Sequence, residues 1–419
     1  MGIKFRLTIL NFLQFFIWGA WLITIGNYWF MTKEWGPENF GAIFATMGIS
    51  SLFMPTLTGI IADRWVNAER LYAILHLLGG VAFFFLPQVN DPSTFFTVML
   101  LAMICYMPTI ALTNSISYSI LQSNNFNVIK EFPPIRVWGT IGFIAAMWIV
   151  NLLGFKASAF QFYIAGGMAF VLALYALSMP KVKPQNHTAK GAPLIETLGL
   201  SAFKLFKDYK MAVFFFFSVF LGAALQLTNM YGDPFLSSFE KLPEYADSFV
   251  VRYSTIIMSI SQISETLFIL AIPFFLKRFG IKKVIMISLF AWVLRFGLFA
   301  FGDPGSNLWM IILSMIIYGM AFDFFNISGS LFVEQKTNPK MRASGQGLFM
   351  MMTNGFGAIF GSSISGIVIA RYFSDASGRI NDWQGIWTSF AIYAFIIFVL
   401  FTLLFKHKHN PNEELDVKH

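Results

Sequence analysis

The sequence predicts an all-α integral membrane protein with twelve transmembrane helices in two six-helix bundles. Three observations carry this expectation. First, 57% of the 419 residues are hydrophobic and 12% charged, whereas a soluble domain needs roughly 25% charged residues to cover its surface. Second, twelve apolar stretches approach the ~20 residues that cross a hydrocarbon core about 30 Å thick. They lie at 7–30, 40–61, 71–86, 95–120, 135–153, 160–179, 211–231, 248–276, 281–301, 308–333, 343–372 and 383–405. Third, a polar, lysine-bearing stretch separates six spans from six, the arrangement of many secondary transporters. The expected organisation is therefore an N-terminal bundle at 1–180, a cytoplasmic linker at 181–210, a C-terminal bundle at 211–405 and a tail at 406–419.

The first span follows Lys4 and Arg6 as a signal peptide would. It is too long for one and lacks a small-x-small cleavage site, so it is read as the first helix. After the second span comes Asp63-Arg64-Trp65, echoed by Lys277-Arg278-Phe279 after the eighth, a faint sign of internal repetition. The third and fourth spans hold His76 and the single cysteine, Cys105, each in an apolar run. One cysteine forms no internal disulfide and no thiolate cluster. The fifth span opens with Arg136 two residues inside its inner end, followed at helical spacing by Thr140 and Phe143. After the sixth span comes the linker, with six Lys and a Pro-Gln-Asn-His run. Gln226 and Asn229 lie in the seventh span, Arg252, Gln262 and Glu265 in the eighth, and Arg295 in the ninth. In the tenth, Tyr318, Phe322 and Asn326 recur every four residues beside Asp323. The eleventh places Thr353 and Asn354 next to Gly355 and Gly357, whose role is read as close helix packing. The twelfth leads into a tail whose His407 and His409 read as a solvated basic end, without the carboxylate or Cys that a metal site needs at ligand spacing.

The net charge of +8 divides unevenly across these spans. With both termini cytoplasmic, 21 Lys and Arg fall on the inner side and 5 on the outer, which the positive-inside rule favours. Too few charges remain to build a basic face for nucleic acid. Apart from Lys282 and Lys283, counted on the inner side at the start of the ninth span, and Arg371, counted on the outer side at the very end of the eleventh, the Lys, Arg, Asp and Glu that fall within spans are Arg136, Arg252, Glu265, Arg295 and Asp323. Each costs about 2.5–3.5 kcal/mol at a helix centre, so such residues face a cavity or a partner and are functional candidates by default. Arg252, near the outer end, reads as a snorkelling side chain. Arg295 reads as one half of a structural ion pair, with substrate contact as the alternative.

Glu265 and Asp323 sit near the middle of their spans. Gln262 and Glu265 are three residues apart and share a helical face. Amides read hydroxyls and heterocycle edges, and aromatic faces stack on flat rings, so the set suits a neutral, hydroxylated, partly aromatic solute. A phosphorylated solute would require several converging basic groups. The bland alternative is that these polar groups merely tie helices together. A carboxyl group in a low-dielectric cavity can take up a proton on one side and release it on the other, which makes Glu265 and Asp323 the proton-coupling candidates. A permanently ionised Asp accepting ribose-like hydroxyls is the alternative. No G-x-x-x-x-G-K-[ST] loop, G-x-S-x-G elbow or H-E-x-x-H pair is present, so neither an ATP-driven pump nor an enzyme is expected. No metal or organic cofactor is expected either, only a proton as coupling ion.

Residues 59–64 (GIIADR) look like the loop signature of the major facilitator superfamily. Residues 131–143 (EFPPIRVWGTIGF), 226–230 (QLTNM), 257–268 (IMSISQISETLF), 321–330 (AFDFFNISGS) and 351–357 (MMTNGFG) strongly resemble the bacterial nucleoside:proton symporters of that superfamily. The resemblance runs along nearly the whole chain except the linker and tail. It implies the major facilitator fold, proton-driven nucleoside uptake by alternating access, an inner-membrane location and a monomer. It further implies a nucleoside site lined by Arg136, Thr140, Phe143, Gln226, Asn229, Gln262, Glu265, Tyr318, Phe322 and Asp323, and it carries Arg136 deeper than its place two residues inside the span. A sugar or other hydroxylated-solute proton symporter on the same fold is the alternative. A nutrient sensor would carry a soluble signalling domain, whereas the longest polar stretch here has 30 residues.

Overall fold

The structure, a computed structural model, describes residues 2–184, 200–337 and 341–407. Much of the expected linker, with His187, and most of the tail, with His409 and His419, lie outside the described residues. The described chain is helical, apart from loops and one isolated bridge between Ser374 and Ile380. Its long helices are α1 (Ile3–Gly19), α2 (Pro37–Arg64), α3 (Ala68–Phe85), α4 (Pro92–Ser123), α5 (Val128–Leu152), α6 (Phe160–Leu177), α7 (Tyr209–Ser238), α8 (Ile260–Phe301), α9 (Leu308–Lys336), α10 (Arg342–Met350), α11 (Ala358–Tyr372) and α12 (Trp383–Leu404). A π-helical segment, Met351–Gly357, joins α10 to α11. Among the described residues, ten helices are long and apolar enough to cross a membrane. Helix α8 has 42 residues, about 63 Å at the α-helical rise, but Gly280 interrupts it with φ 74° and ψ 168°. Such a conformation is open to glycine and strained for other residues.

Several helix ends depart from the spans drawn on hydropathy. The first apolar run, 7–30, is not one helix: α1 stops at Gly19, and a short helix, Ile25–Asn27, and a π turn, Tyr28–Thr32, follow. Within this irregular stretch the Thr24 hydroxyl donates to Gln161 Oε1 of α6 at 2.9 Å. Helix α5 starts at Val128, seven residues before the drawn span, because Asn127 caps it by accepting from the Lys130 N–H at 3.2 Å. The run 248–276 opens as two short helices, Phe249–Arg252 and Ser254–Met258, before α8 begins. Asp233, which the hydropathy reading left outside the spans, is wholly buried within α7.

The chain forms two compact units, Met1–Trp35 with Asn39–Pro193, and Gly36–Glu38 with Leu194–His419. In the first, α1 and α5 cross with their backbones in contact, since a side chain at Gly19 would meet the Phe143 carbonyl and one at Gly142 the Phe12 carbonyl. In the second, α7 crosses the π segment and α11 in the same way. A Cβ at Gly357 would lie 2.7 Å from the Val219 oxygen, and one at Gly361 would lie 2.5 Å from Ala223 Cα. Small residues that let backbones touch are how membrane helices gain packing without a hydrophobic drive. The close packing expected at Gly357 is therefore present. In each unit the opening helix meets a later one through glycines, a stronger internal echo than the loop residues offered.

Candidate functional site

In the N-terminal unit, Arg136, Thr140 and Phe143 lie on α5 at positions i, i+4 and i+7, one face of the helix. Pro133 and Pro134 lie inside α5 rather than before it, so Arg136 sits two turns into the helix, not at its entrance. Its guanidinium carbon lies 4.0 Å from the centroid of the Phe15 ring of α1, a cation–π contact. Thr140 is half-buried and Phe143 is buried. The Trp18 ring meets Phe143 edge-on at 6.3 Å and 85°, and its buried indole N–H has no acceptor among the described residues. A buried polar network centres on Gln14 of α1. Gln14 donates to Thr109 at 2.9 Å, accepts from Tyr72 and His76 at its side-chain oxygen, and accepts from Tyr106 at its carbonyl. His76 is thus a satisfied core residue.

In the C-terminal unit the remaining seven residues come from three helices. Helix α7 carries Gln226, buried, and Asn229, half-buried; α8 carries Gln262 and Glu265, both half-buried. Helix α9 carries Tyr318, Phe322 and Asp323, of which Asp323 is 3% exposed. The contact between α8 and α9 is set at Gly319, where a Cβ would lie 2.7 Å from the Ser264 carbonyl oxygen. The Ser264 hydroxyl also donates to the Ile316 carbonyl. This places Glu265, next to Ser264, within electrostatic reach of both Tyr318 and Asp323. The Tyr318 and Phe322 rings, one turn apart on α9, are parallel, 5.9 Å apart at 7°. Phe322 also borders a crevice with Gly222, Leu225, Trp292, Asn326 and Asn354.

Three of the seven hold a buried oxygen with no hydrogen-bond donor among the described residues: Gln226 Oε1, Gln262 Oε1 and Asp323 Oδ2. A buried polar group left unmatched costs about 1–3 kcal/mol, and such groups are few in a packed core. Carried on α7, α8 and α9, the last of which also bears the two parallel rings, they are acceptors suited to the N–H and O–H groups of a flat, hydroxylated solute.

The structure corrects one expectation and adds residues that the sequence reading missed. Among the described residues Arg295 has no carboxylate partner: it is held by the Thr228 hydroxyl, the Ser314 carbonyl, the Ser261 hydroxyl and two aromatic rings. Arg252 is exposed, its guanidinium 5.5 Å from the Tyr253 ring. Trp292 packs edge-on against Tyr318 at 6.0 Å and 90°, and Trp18 does the same for Phe143. Both had a sequence signal, since Trp292 is three residues from Arg295 and Trp18 four from Gln14.

Comparison with known proteins gives the chain its context. It is 50% identical over 410 residues to the nucleoside permease NupG of Escherichia coli (strain K12), covering 98% of this chain and 97% of that protein. It is 49% identical over 420 residues to the xanthosine permease of the same organism, covering 100% of this chain and 99% of that one. A crystal structure of the nucleoside transporter NupG superimposes with a TM-score of 0.91 at 50% identity, covering 97% of this chain and 100% of that one. These relatives are transporters, not enzymes. The family model described as nucleoside H+ symporter matches residues 1–410, and the chain belongs to the nucleoside H+ symporter family.

Proposed function

We propose that the protein imports nucleosides across the bacterial inner membrane, driven by the proton gradient through alternating access on a twelve-helix major facilitator fold. The observation that carries this reading is the pairing of three unmatched buried oxygens, on Gln226, Gln262 and Asp323, with the parallel Tyr318 and Phe322 rings. The rings stack on the base, and the amides and carboxylate take its polar edge and the ribose hydroxyls. Asn229 and Glu265 complete the C-terminal set, and Arg136, Thr140 and Phe143 are the N-terminal contribution. Glu265 and Asp323 are the proton-coupling candidates, because a carboxyl group in a low-dielectric site can take up a proton on one side of the membrane and release it on the other. No cofactor is required.

The count of twelve crossings rests on the ten long apolar helices, on α1 with its π extension, and on the break of α8 at Gly280. The excess of Lys and Arg on one side of these crossings supports an orientation with both termini in the cytoplasm. The protein acts as a monomer. The test is uptake of labelled uridine and adenosine by cells lacking their own nucleoside carriers, with and without a protonophore. Accumulation that collapses with the protonophore supports the reading; uptake unchanged by it overturns the coupling.

A further inference from the structure

Arg295 stands outside the ten candidate residues, yet it is a wholly buried cation in the middle of the C-terminal unit. Burying a guanidinium is costly and an apolar side chain of similar volume is often the more stable choice, so the contacts that hold it are informative. Its Nε donates to the Thr228 hydroxyl at 3.3 Å, Nη1 to the Ser314 carbonyl at 2.7 Å, and Nη2 to the Ser261 hydroxyl at 3.3 Å. The Ser314 hydroxyl returns a bond to the Arg295 carbonyl at 3.0 Å. The guanidinium carbon lies 4.6 Å from the Tyr318 ring centroid and 5.2 Å from that of Phe299. Every polar partner is close in sequence to a candidate binding residue: Thr228 precedes Asn229, Ser261 precedes Gln262, and Ser314 is one turn before Tyr318. The planar fork of Arg makes these three directional bonds while stacking on a ring, which Lys does not reproduce.

We infer that Arg295 is a positioning residue for nucleoside binding, acting through Tyr318. It holds the ring that faces the base in one orientation, together with the edge of Trp292 and the parallel face of Phe322. Through Thr228 and Ser261 it also fixes how far Asn229 and Gln262 reach. It does not touch the nucleoside. This inference rests on the proposed stacking role of Tyr318.

The test is a double-mutant cycle read as uridine KM and Vmax in proteoliposomes, normalised to folded transporter, with Arg295→Met, Arg295→Lys, Tyr318→Leu and the two combined variants. Loss of a desolvated cation–π contact predicts a KM raised roughly tenfold by Arg295→Met, with Vmax per folded molecule within about twofold. Arg295→Lys recovers part of the affinity, because a cation remains over the ring. In the Tyr318→Leu background, Arg295→Met adds little, since its route to the substrate is already gone. If Arg295→Met does not fold, the same cycle with Arg295→Lys decides. An unchanged KM in the Arg295 variants, or fully multiplicative effects in the double variants, overturns the inference. If Tyr318→Leu alone leaves KM unchanged, the stacking reading itself fails, a distinct outcome.

Discussion

Replacing Gly319 by alanine perturbs the site without removing any of its functional groups. Gly319 follows Tyr318 on α9, and its opposing atom belongs to Ser264, which precedes Glu265 on α8. A Cβ at Gly319 would lie 2.7 Å from the Ser264 carbonyl oxygen, 2.8 Å from its carbonyl carbon and 2.8 Å from Phe268 Cδ2. Phe268 can rotate away, but the Ser264 backbone cannot. Ordinary contact begins near 3.4 Å, so α8 and α9 must part by about 0.7 Å, a displacement in the range where overpacking costs about 1–3 kcal/mol. It also shifts Glu265 relative to Tyr318 and Asp323. We expect uridine KM to rise about tenfold for 1.4 kcal/mol of that cost expressed in binding, and the thermal midpoint in detergent to fall. Gly347→Ala is the control, because a Cβ there meets nothing within 4 Å and alanine favours the helix by roughly 0.5–1 kcal/mol. Unchanged KM and thermal midpoint in Gly319→Ala would refute the close α8–α9 contact as the frame of the site.

Three further predictions concern the chemistry. Asp323→Asn and Glu265→Gln, each nearly isosteric, should abolish uridine accumulation above the external concentration, measured in vesicles with an imposed pH gradient; full accumulation in both variants would show that neither carboxyl carries the proton. Phe322→Ala should weaken uridine binding roughly tenfold, through loss of about 1–3 kcal/mol of base stacking, and leave ribose competition unaffected, as read by displacement of labelled uridine. Lactose should fail to displace uridine from the unmodified protein, and effective displacement would favour the sugar-symporter alternative.

Much of this molecule was legible in the sequence because a bilayer imposes length and apolarity on every crossing helix. The polar groups of α8 and α9 stood out against that apolar background, and the four-residue spacing of Tyr318 and Phe322 made them neighbours on one helix face, though the parallel setting of their rings was not legible. Helix ends were less legible, because hydropathy does not record capping or side-chain competition. Asn127 extends α5 backward past two prolines, and the chain leaves the α-helix after Gly19 inside an apolar run, where Thr24 bonds to Gln161 of α6. The partners of Arg295 were also hidden. Charge alone suggests a carboxylate, whereas the hydroxyls, carbonyl and ring that hold it come from α7, the start of α8 and α9, a convergence visible only in three dimensions. The Trp18 and Trp292 edges were masked among the many aromatic residues of the chain.

Coupling of nucleoside to proton movement can be read directly with a pH-sensitive dye inside proteoliposomes that start with no pH gradient. Uridine added outside should acidify the lumen, and the signal should vanish when Glu265→Gln and Asp323→Asn are combined. Uridine entry with no acidification would contradict proton symport.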